Sequence, residues 1–533
     1  MSTTQIIVVL LGVIAAVAVV AIRLKVPVAI PLVITGVVLA LIPGLPQVEM
    51  APEFVLLMVL PPIIYSSSVA MSWREFRFNL RPISLLAVGC VVFTTIATAA
   101  AVHWLLGFSW PVGFVLGAIV SPPDAVAPLA IARRLAMPRR LLVILEGEGL
   151  ANDATALILY RFAVGAVSLG VFSFGEAAGT FAAIVVGEIL FGIAIGWLSL
   201  RLRRWVQDPR IEMTLSIVTP YAAFWPPQHL GGSGVLATVT AGLYISWNGL
   251  RLISAPTRLQ GIFFWDLLIY LTEGLVFLIT GLQARTLIEG IKDNSVWQLT
   301  TSALLVCAVV IVARFVWMYP AVYLPRILVP SIARDDPSPP WTFPFILAFT
   351  GIRGIVSLAA ALAIPLTIAN GQPFPERDMI LFLTYSVILV TLVGQGLLMP
   401  AVIRWLGLAN AGRLEKHDDR IEEFNARRDA IRAALERIDE LLAQQQLLPE
   451  VADRFRAGHL DRLRHVEKRG DESEALHAQV ERHDEVEFLL IQAERDRINE
   501  LYRAGKLKDE ARRRIERELD LRHAHLTNIR SAE

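Results

Sequence analysis

The run Ala118-Ile119-Val120-Ser121-Pro122-Pro123-Asp124-Ala125-Val126-Ala127-Pro128 lies inside an apolar segment of about residues 111 to 131 and decides how the chain is read. Proline has no N–H, so Pro122, Pro123 and Pro128 leave the carbonyls four residues earlier, on Ala118, Ile119 and Asp124, without helical donors. Unpaired carbonyls beside a carboxylate at mid-membrane are ligands for a hard cation such as Na⁺. The alternative is a plain proline kink whose Asp124 is satisfied by a neighbouring helix. An interrupted helix that also carries a carboxylate favours the cation site.

The rest of the chain supports a membrane setting for that segment. Of 533 residues, 55% belong to the hydrophobic set and only 18% are charged. Mean hydropathy is +0.56, which excludes a soluble protein. The formal charge of +1 offers no basic excess for nucleic acid. It conceals a division: residues 1–410 hold 24 basic and 19 acidic side chains, and residues 411–533 hold 25 and 29. This predicts a membrane domain over 1–410 and a charged helical tail over 411–533. Cys90 and Cys307 both lie in apolar stretches and read as core residues, with no disulfide framework. The first apolar run, Ile6 to Ile22, has no basic residue before it and reads as a retained helix rather than a signal peptide.

A span needs roughly 20 apolar residues, and breaking the domain at Pro, Gly and charge clusters yields thirteen candidate spans. Basic residues mark the cytoplasmic loops. Six alternate loops hold 17 of them, at 23 and 25, 74 to 81, 133 to 140, 201 to 210, 251 and 258, and 326 and 334. The intervening loops hold three, Arg285, Lys292 and Arg377. This pattern puts the N-terminus outside and the tail in the cytoplasm. Thirteen spans divide as six, a linker and six, so segments five and twelve correspond as inverted repeats.

A charge at a span centre costs about 2.5–3.5 kcal/mol on insertion scales, so each one asks for a reason. Away from span ends they are Asp124, Glu146, Glu148, Asp153, Glu188, Glu273, Arg314 and Arg353. In segment six, Glu146-Gly147-Glu148-Gly149-Leu150-Ala151-Asn152-Asp153, helical spacing puts Glu148 and Asn152 on one face and Gly149 and Asp153 on the next. Asp153 can then face the same cavity as Asp124. Two carboxylates in low dielectric raise each other's proton affinity, so the site can hold either H⁺ or a metal ion. In segment twelve, Gly351 and Gly354 flank Arg353 and permit local unwinding opposite segment five. Arg353 needs an anion, and Glu148 is the expected partner in a structural ion pair.

The segments SPPDAVAP, EGEGLANDATA, HLGGSGVLA, ARFVWMYP and GIRGIVSLAAALAIP, spread over about residues 5 to 405, resemble the monovalent cation:proton antiporters of the NhaP and sodium/proton exchanger type. The resemblance implies an all-α polytopic fold of the NhaA-like kind, with about 13 transmembrane helices, inverted repeats and two crossed discontinuous helices. It implies a homodimer in the cell membrane that exchanges Na⁺, with Li⁺ or K⁺ as alternatives, for H⁺ without a cofactor. It also implies that Asp124 and Asp153 bind the ion, that Asn152 is the neutral member of an Asn-Asp pair associated with electroneutral one-for-one exchange, and that Glu148 and Arg353 form the buried ion pair. Arg314 resembles a second buried arginine. Close relatives carry Ser where this chain has Gly149, several carry Thr where Pro123 stands, and some archaeal members carry a carboxylate at Ser66. Pro123, Gly149, Ser121 and Ser66 are therefore the expected backbone or auxiliary ligands.

Other readings compete for some of these residues. Gly231-Gly232-Ser233-Gly234 matches a short intramembrane serine-protease pattern, but it has no placed base and reads as a turn. Intramembrane proteolysis on Asp124 and Asp153 would leave the proline break and the buried Glu and Arg without a role. Glu146, Glu188 and Glu273 can lie on an ion pathway or simply be satisfied carboxyls, and Arg161 reads as snorkelling outward. In the tail, Phe424, Ile431, Leu435, Ile438 and Leu442 form one apolar stripe. A second runs through Leu489, Ala493, Leu501, Leu507, Ala511, Ile515 and Leu519. They predict two or three amphipathic helices in a bundle or coiled coil, with seven scattered histidines such as His417 and His523 as weak candidates for pH sensing.

Overall fold

The computed structural model describes residues 3–43, 51–170, 173–206, 208–249, 252–290, 295–469, 474–504 and 506–531. Two of the expected loop cations, Arg251 and Lys292, lie outside the described residues, as do the side chains of His465, His477, His483 and His525. The described residues are helical apart from turns and one isolated bridge, Thr367 to Pro373. They divide into two units, Met1–Arg413 and Leu414–Glu533.

The first unit contains helices α1 (Thr3–Leu24), α2 (Ala29–Ala40), α3 (Pro52–Ala70), α4 (Trp73–Phe78), α5 (Leu80–Leu106), α6 (Trp110–Val120) and α7 (Val126–Arg134). It continues through α8 (Arg139–Leu169), α9 (Phe174–Val206), α10 (Pro209–His229), α11 (Val235–Asn248), α12 (Ala255–Leu282), α13 (Ala284–Gly290) and α14 (Val296–Leu328). It closes with α15 (Pro330–Asp335), α16 (Thr342–Phe349), α17 (Ile355–Leu362) and α18 (Arg377–Trp405). Each of the thirteen expected segments contains helix, and among the described residues eight helices are long and apolar enough to cross a membrane. The other five fall short for visible reasons. Segments five and twelve are each split in two, α2 and α11 have 12 and 14 residues, and α10 carries Pro220, Pro226 and Pro227 inside it.

The apolar core follows from burying these helices against one another. Its main cluster joins α1, α2, α6, α12, α14, α17 and α18 through residues such as Ile14, Ile30, Leu116, Phe277, Val306, Leu358 and Leu383. Polar groups inside the bundle are satisfied locally. Glu188 of α9 meets the start of α11, accepting from the N–H of Ser233 at 2.5 Å, Gly234 at 2.9 Å and Leu236 at 3.0 Å. A carboxylate on a helix N-terminus is favoured by the orphan N–H groups and the helix dipole. Glu188 is thus a cap supplied from another helix, and Ser233, whose hydroxyl also bonds to it, sits in a turn.

At the end of the bundle where the basic loops gather, Asp336 holds three helices together. Its carboxylate lies 2.5 Å from Arg81 of α5, 2.8 Å from Arg140 of α8 and 2.7 Å from Arg326 of α14. Partial burial alone would raise the Asp336 carboxyl. The hydrogen bond and charge of Arg140, with the charges of Arg326 and Arg81, hold it below the ordinary carboxylate range.

The second unit begins within α19 (Leu408–Ala443) and continues as α20 (Pro449–Arg469), α21 (Glu474–Arg503) and α22 (Asp509–Ser531). Ile431 and Ile438 of the first apolar stripe are buried. The second stripe is shifted: Leu489 is 60% exposed, whereas Ile491 is 1% exposed and packs with Ile515 and Leu519. The break between α21 and α22 lets the chain turn back, and the pairs Arg495–Asp520 and Glu494–Arg522 flank the small apolar contact. Four helical pieces thus stand where two or three were expected.

The Asp336 cluster generates a stability prediction. Asp336→Asn leaves three arginines without their common anion and costs about 3 kcal/mol at pH 7, read as a lower thermal unfolding temperature in detergent. A depressed folded pKa stabilises fully above the unfolded value of about 3.9 and is lost as pH falls through the folded one. The gap between wild type and variant therefore narrows below pH 4, and a gap independent of pH contradicts the assignment.

Candidate functional site

The two interruptions foreseen in segments five and twelve meet. Helix α6 stops at Val120 and α7 restarts at Val126, while α16 stops at Phe349 and α17 restarts at Ile355. The Asp124 N–H donates to the carbonyl of Ile352 at 2.6 Å, joining one break to the other. Asp124 also caps α7, its Oδ1 accepting from the Val126 N–H at 2.9 Å. A Cβ on Gly354 would collide with the Asp124 carboxylate, so only glycine allows this approach.

Within the breaks, protein donors take several of the freed carbonyls. Asn152 of α8 is fully buried and its Nδ2 donates to the Pro123 carbonyl at 2.6 Å. The Arg353 Nε donates to Val120 at 3.0 Å and its Nη1 to Gly351. The Ser121 hydroxyl donates to Ala118 at 3.3 Å and lies 3.2 Å from the Thr95 hydroxyl. Ala118 is therefore paired, contrary to the expectation for it. Ser121 faces α5 and is not among the residues lining the cavity described next.

That cavity has a volume of about 420 Å³ and runs between the break and α12. Asp124, Asp153 and Glu273 line it together with Ser66, Pro123 and Gly149. Among the described residues, Asp153 and Glu273 have no hydrogen-bond or ion-pair partner, so both carboxyls retain their capacity for a ligand. Arg133, 60% exposed and 3.2 Å from Glu146, stands at the mouth with exposed Asp266. Glu146 is thereby placed in a rim ion pair. Asp266 was not foreseen, although it lies two helical turns from Glu273 on the same face of α12, and that i, i+7 spacing was the available signal. Gly149 packs against the break: a Cβ there would stand 2.5 Å from that of Ala125.

The buried ion pair differs from the expected one. Glu148 accepts from Arg314 in a two-pronged contact of 2.5 and 2.8 Å, and Arg314 donates further to the Leu347 carbonyl at 2.9 and 3.1 Å. Arg353 is not the partner of Glu148. It projects from a stretch of unwound backbone, so carbonyls satisfy it, and its main-chain N–H bonds to the Thr391 hydroxyl at 3.0 Å. Its Nη2 has no partner among the described residues. Arg314, from the middle of the unbroken α14, is the one whose planar fork faces the Glu148 carboxylate.

Known proteins bear on the chain at three levels. A family model described as sodium/hydrogen exchanger, transmembrane, matches residues 6–405. An uncharacterized Na(+)/H(+) exchanger of Mycobacterium tuberculosis is 34% identical over 516 residues, covering 94% of this chain and 92% of its own length. The Na(+)/H(+) antiporter ApNhaP of Aphanothece halophytica is 29% identical over 91% of this chain and 90% of its own. The sodium, potassium, lithium and rubidium/H(+) antiporter of Bacillus subtilis is 32% identical over 70% of this chain and 57% of its own. In fold, the sodium proton antiporter MjNhaP1 of Methanocaldococcus jannaschii superimposes with a TM-score of 0.58 at 17% identity, covering 76% of this chain and 98% of that one. With its helices broken at one crossing and a match over residues 6–405, the chain belongs to the transmembrane sodium/hydrogen exchanger family and is a membrane transporter rather than an enzyme.

Proposed function

We propose that the chain exchanges one monovalent cation for one proton, with Asp153 as the carrier and Asp124 as its companion. The observation that carries this reading is the unpartnered Asp153 carboxyl beside the helix crossing, in one cavity with Asp124. A cation and a proton compete for the same oxygens. The loaded site crosses in either form, and the empty charged site is held back by the cost of moving an uncompensated charge through the bilayer.

Charge balance around the crossing supports one-for-one exchange. Glu148 and Arg314 cancel each other. Arg353 has no carboxylate in contact among the described residues and sets one positive charge against Asp124 and Asp153. With Glu273, the third carboxyl of the cavity, keeping its proton throughout the cycle, the empty site then carries one net negative charge, which a single Na⁺ or H⁺ neutralises. Asn152, a neutral carboxamide, adds no titratable group, and its Nδ2 is committed to the Pro123 carbonyl. Asp153, the free oxygen of Asp124, the Ser66 hydroxyl and water are the oxygens left to a cation. The substrate class is Na⁺, Li⁺ or K⁺.

By the distribution of loop cations, the mouth at Arg133 faces the cytoplasm, the N-terminus lies outside and the helical tail is cytoplasmic. The cavity is then an inward-open path along α12, with Asp266 and Glu273 as successive stations above Asp153. Thirteen spans with inverted repeats, a homodimer and the plasma membrane complete the reading.

In proteoliposomes carrying a pH dye, wild type dissipates a proton gradient on addition of at least one of Li⁺, Na⁺, K⁺ or Rb⁺. No response to any of them ends the transport reading. Asp153→Asn abolishes the exchange with unfolding temperature near that of wild type, and retained exchange removes Asp153 from the carrier role. Competition at one site also sets the pH dependence. Where protons occupy the site, each unit by which pH falls lowers the apparent affinity for Na⁺ about tenfold without changing the maximal rate. On a solid-supported membrane the exchange leaves no sustained current, and a steady current whose sign follows the Na⁺ gradient refutes the one-for-one ratio.

A further inference from the structure

A second cavity lies on the opposite side of α8 from the carboxylates. It encloses about 690 Å³ between α4, α5 and α8 on one side and α9 and α11 on the other. Its walls are mostly apolar, with Ile83, Ala154, Ile189 and Val239 typical, and Trp73 and Trp247 line it at one end, where the Ser246 hydroxyl donates to the Met71 carbonyl at 2.7 Å. Helix α8 is thus a partition. Asp153 faces the polar cavity while Ala154, the next residue, faces the apolar one.

Three observations point to its occupant. Water finds few polar partners along such walls, and at this depth the surrounding solvent is hydrocarbon. Along α9 the groove extends from Phe181 to Ile193, about 18 Å at 1.5 Å per residue. Half of a hydrocarbon core of roughly 30 Å, the reach of one acyl chain, is close to that length. Its aromatic end carries charge. Helix α4 begins with Trp73, and Arg74 and Arg77 are exposed and have no ion-pair partner among the described residues. The acid of the same helix, Glu75, is engaged by Arg139 at 2.5 Å and leaves those two arginines uncompensated.

We propose that this groove binds an anionic glycerophospholipid, one acyl chain lying behind α8 and the phosphodiester on Arg74 and Arg77. Tryptophans at the mouth suit the glycerol level of the interface, and arginines suit a phosphate. The bound chain supports the back of the helix that carries Asn152 and Asp153.

The test is a titration of the full-length detergent-solubilised protein with phosphatidylglycerol and phosphatidylcholine of identical acyl chains, read by native mass spectrometry. Phosphatidylglycerol is retained more tightly than phosphatidylcholine, and Arg74→Gln with Arg77→Gln removes that preference, about fivefold for each arginine. Ile189→Trp with Ile193→Trp fills the groove and abolishes retention of both lipids. Equal retention of the two lipids by wild type, or unchanged retention in the filled variant, overturns the proposal. Should the filled variant not fold, wild type labelled with a phosphatidylglycerol bearing a photoreactive acyl chain serves instead. Adducts at Ile189, Ile193 or Val239 support the site, and adducts confined to other surfaces overturn it.

Discussion

The hydrogen bond from the Asp124 N–H to the Ile352 carbonyl is the contact on which the rest of the site depends. Backbone inside a bilayer has no water to satisfy it, and each unpaired group costs several kcal/mol. Two unwound stretches are tolerated here because they supply partners to each other and because three side chains complete the task. Asn152 takes the Pro123 carbonyl, Arg353 takes Val120 and Gly351, and Ser121 takes Ala118. Several of the carbonyls freed at the breaks are thus taken by the protein itself, and the cavity beside them is lined by the carboxyls of Asp124, Asp153 and Glu273. A transport site needs that division, since it has to release what it binds.

The charged residues of the membrane unit separate by the same criterion. Glu148, Glu188 and Asp336 are each fully engaged, by Arg314, by the start of α11 and by three arginines respectively. These contacts fix how helices meet. Among the described residues, Asp153 and Glu273 make no such contact, and both line a cavity. Asp124 does both, with one oxygen capping α7 and its neighbour Gly354 kept small to admit the other. It ties the geometry of the crossing to the charge in the cavity.

Much of this was readable before any coordinates, for reasons that can be named. Proline removes a donor at a known offset, so Pro122 and Pro123 announced the first break, and flanking glycines announced the second. Carboxylates in apolar surroundings announced Asp124 and Asp153, and left Glu273 open between a pathway group and a satisfied carboxyl. Pairing between distant helices was not readable. Arg314 and Arg353 are both mid-span arginines, and nothing in their spacing says which one reaches Glu148. The distinction arises because one projects from an intact helix and the other from unwound backbone with carbonyls at hand. The cap that Glu188 forms 45 residues away in sequence was hidden for the same reason. In the tail, Leu489 and Ile491 both fit an apolar stripe, and only the turn before α22 selects Ile491.

Gly149 connects the departures from related sequences to the packing. A hydroxyl at this position would seem a simple addition to the coordination shell, yet the helix axis of α8 passes so close to the break that a Cβ would press on Ala125. A serine there requires the break and α8 to move apart until that 2.5 Å approach opens to ordinary van der Waals contact. That shift would stretch the Asn152 bond to Pro123 and the Asp124 bond to Ile352, both already short at 2.6 Å. Loss of the hydroxyl and tightness of the crossing are thus one structural choice. On the proposed reading, the protein hydroxyl nearest the carboxyls is then sought not on α8 but on Ser66, which lines the cavity from the facing helix.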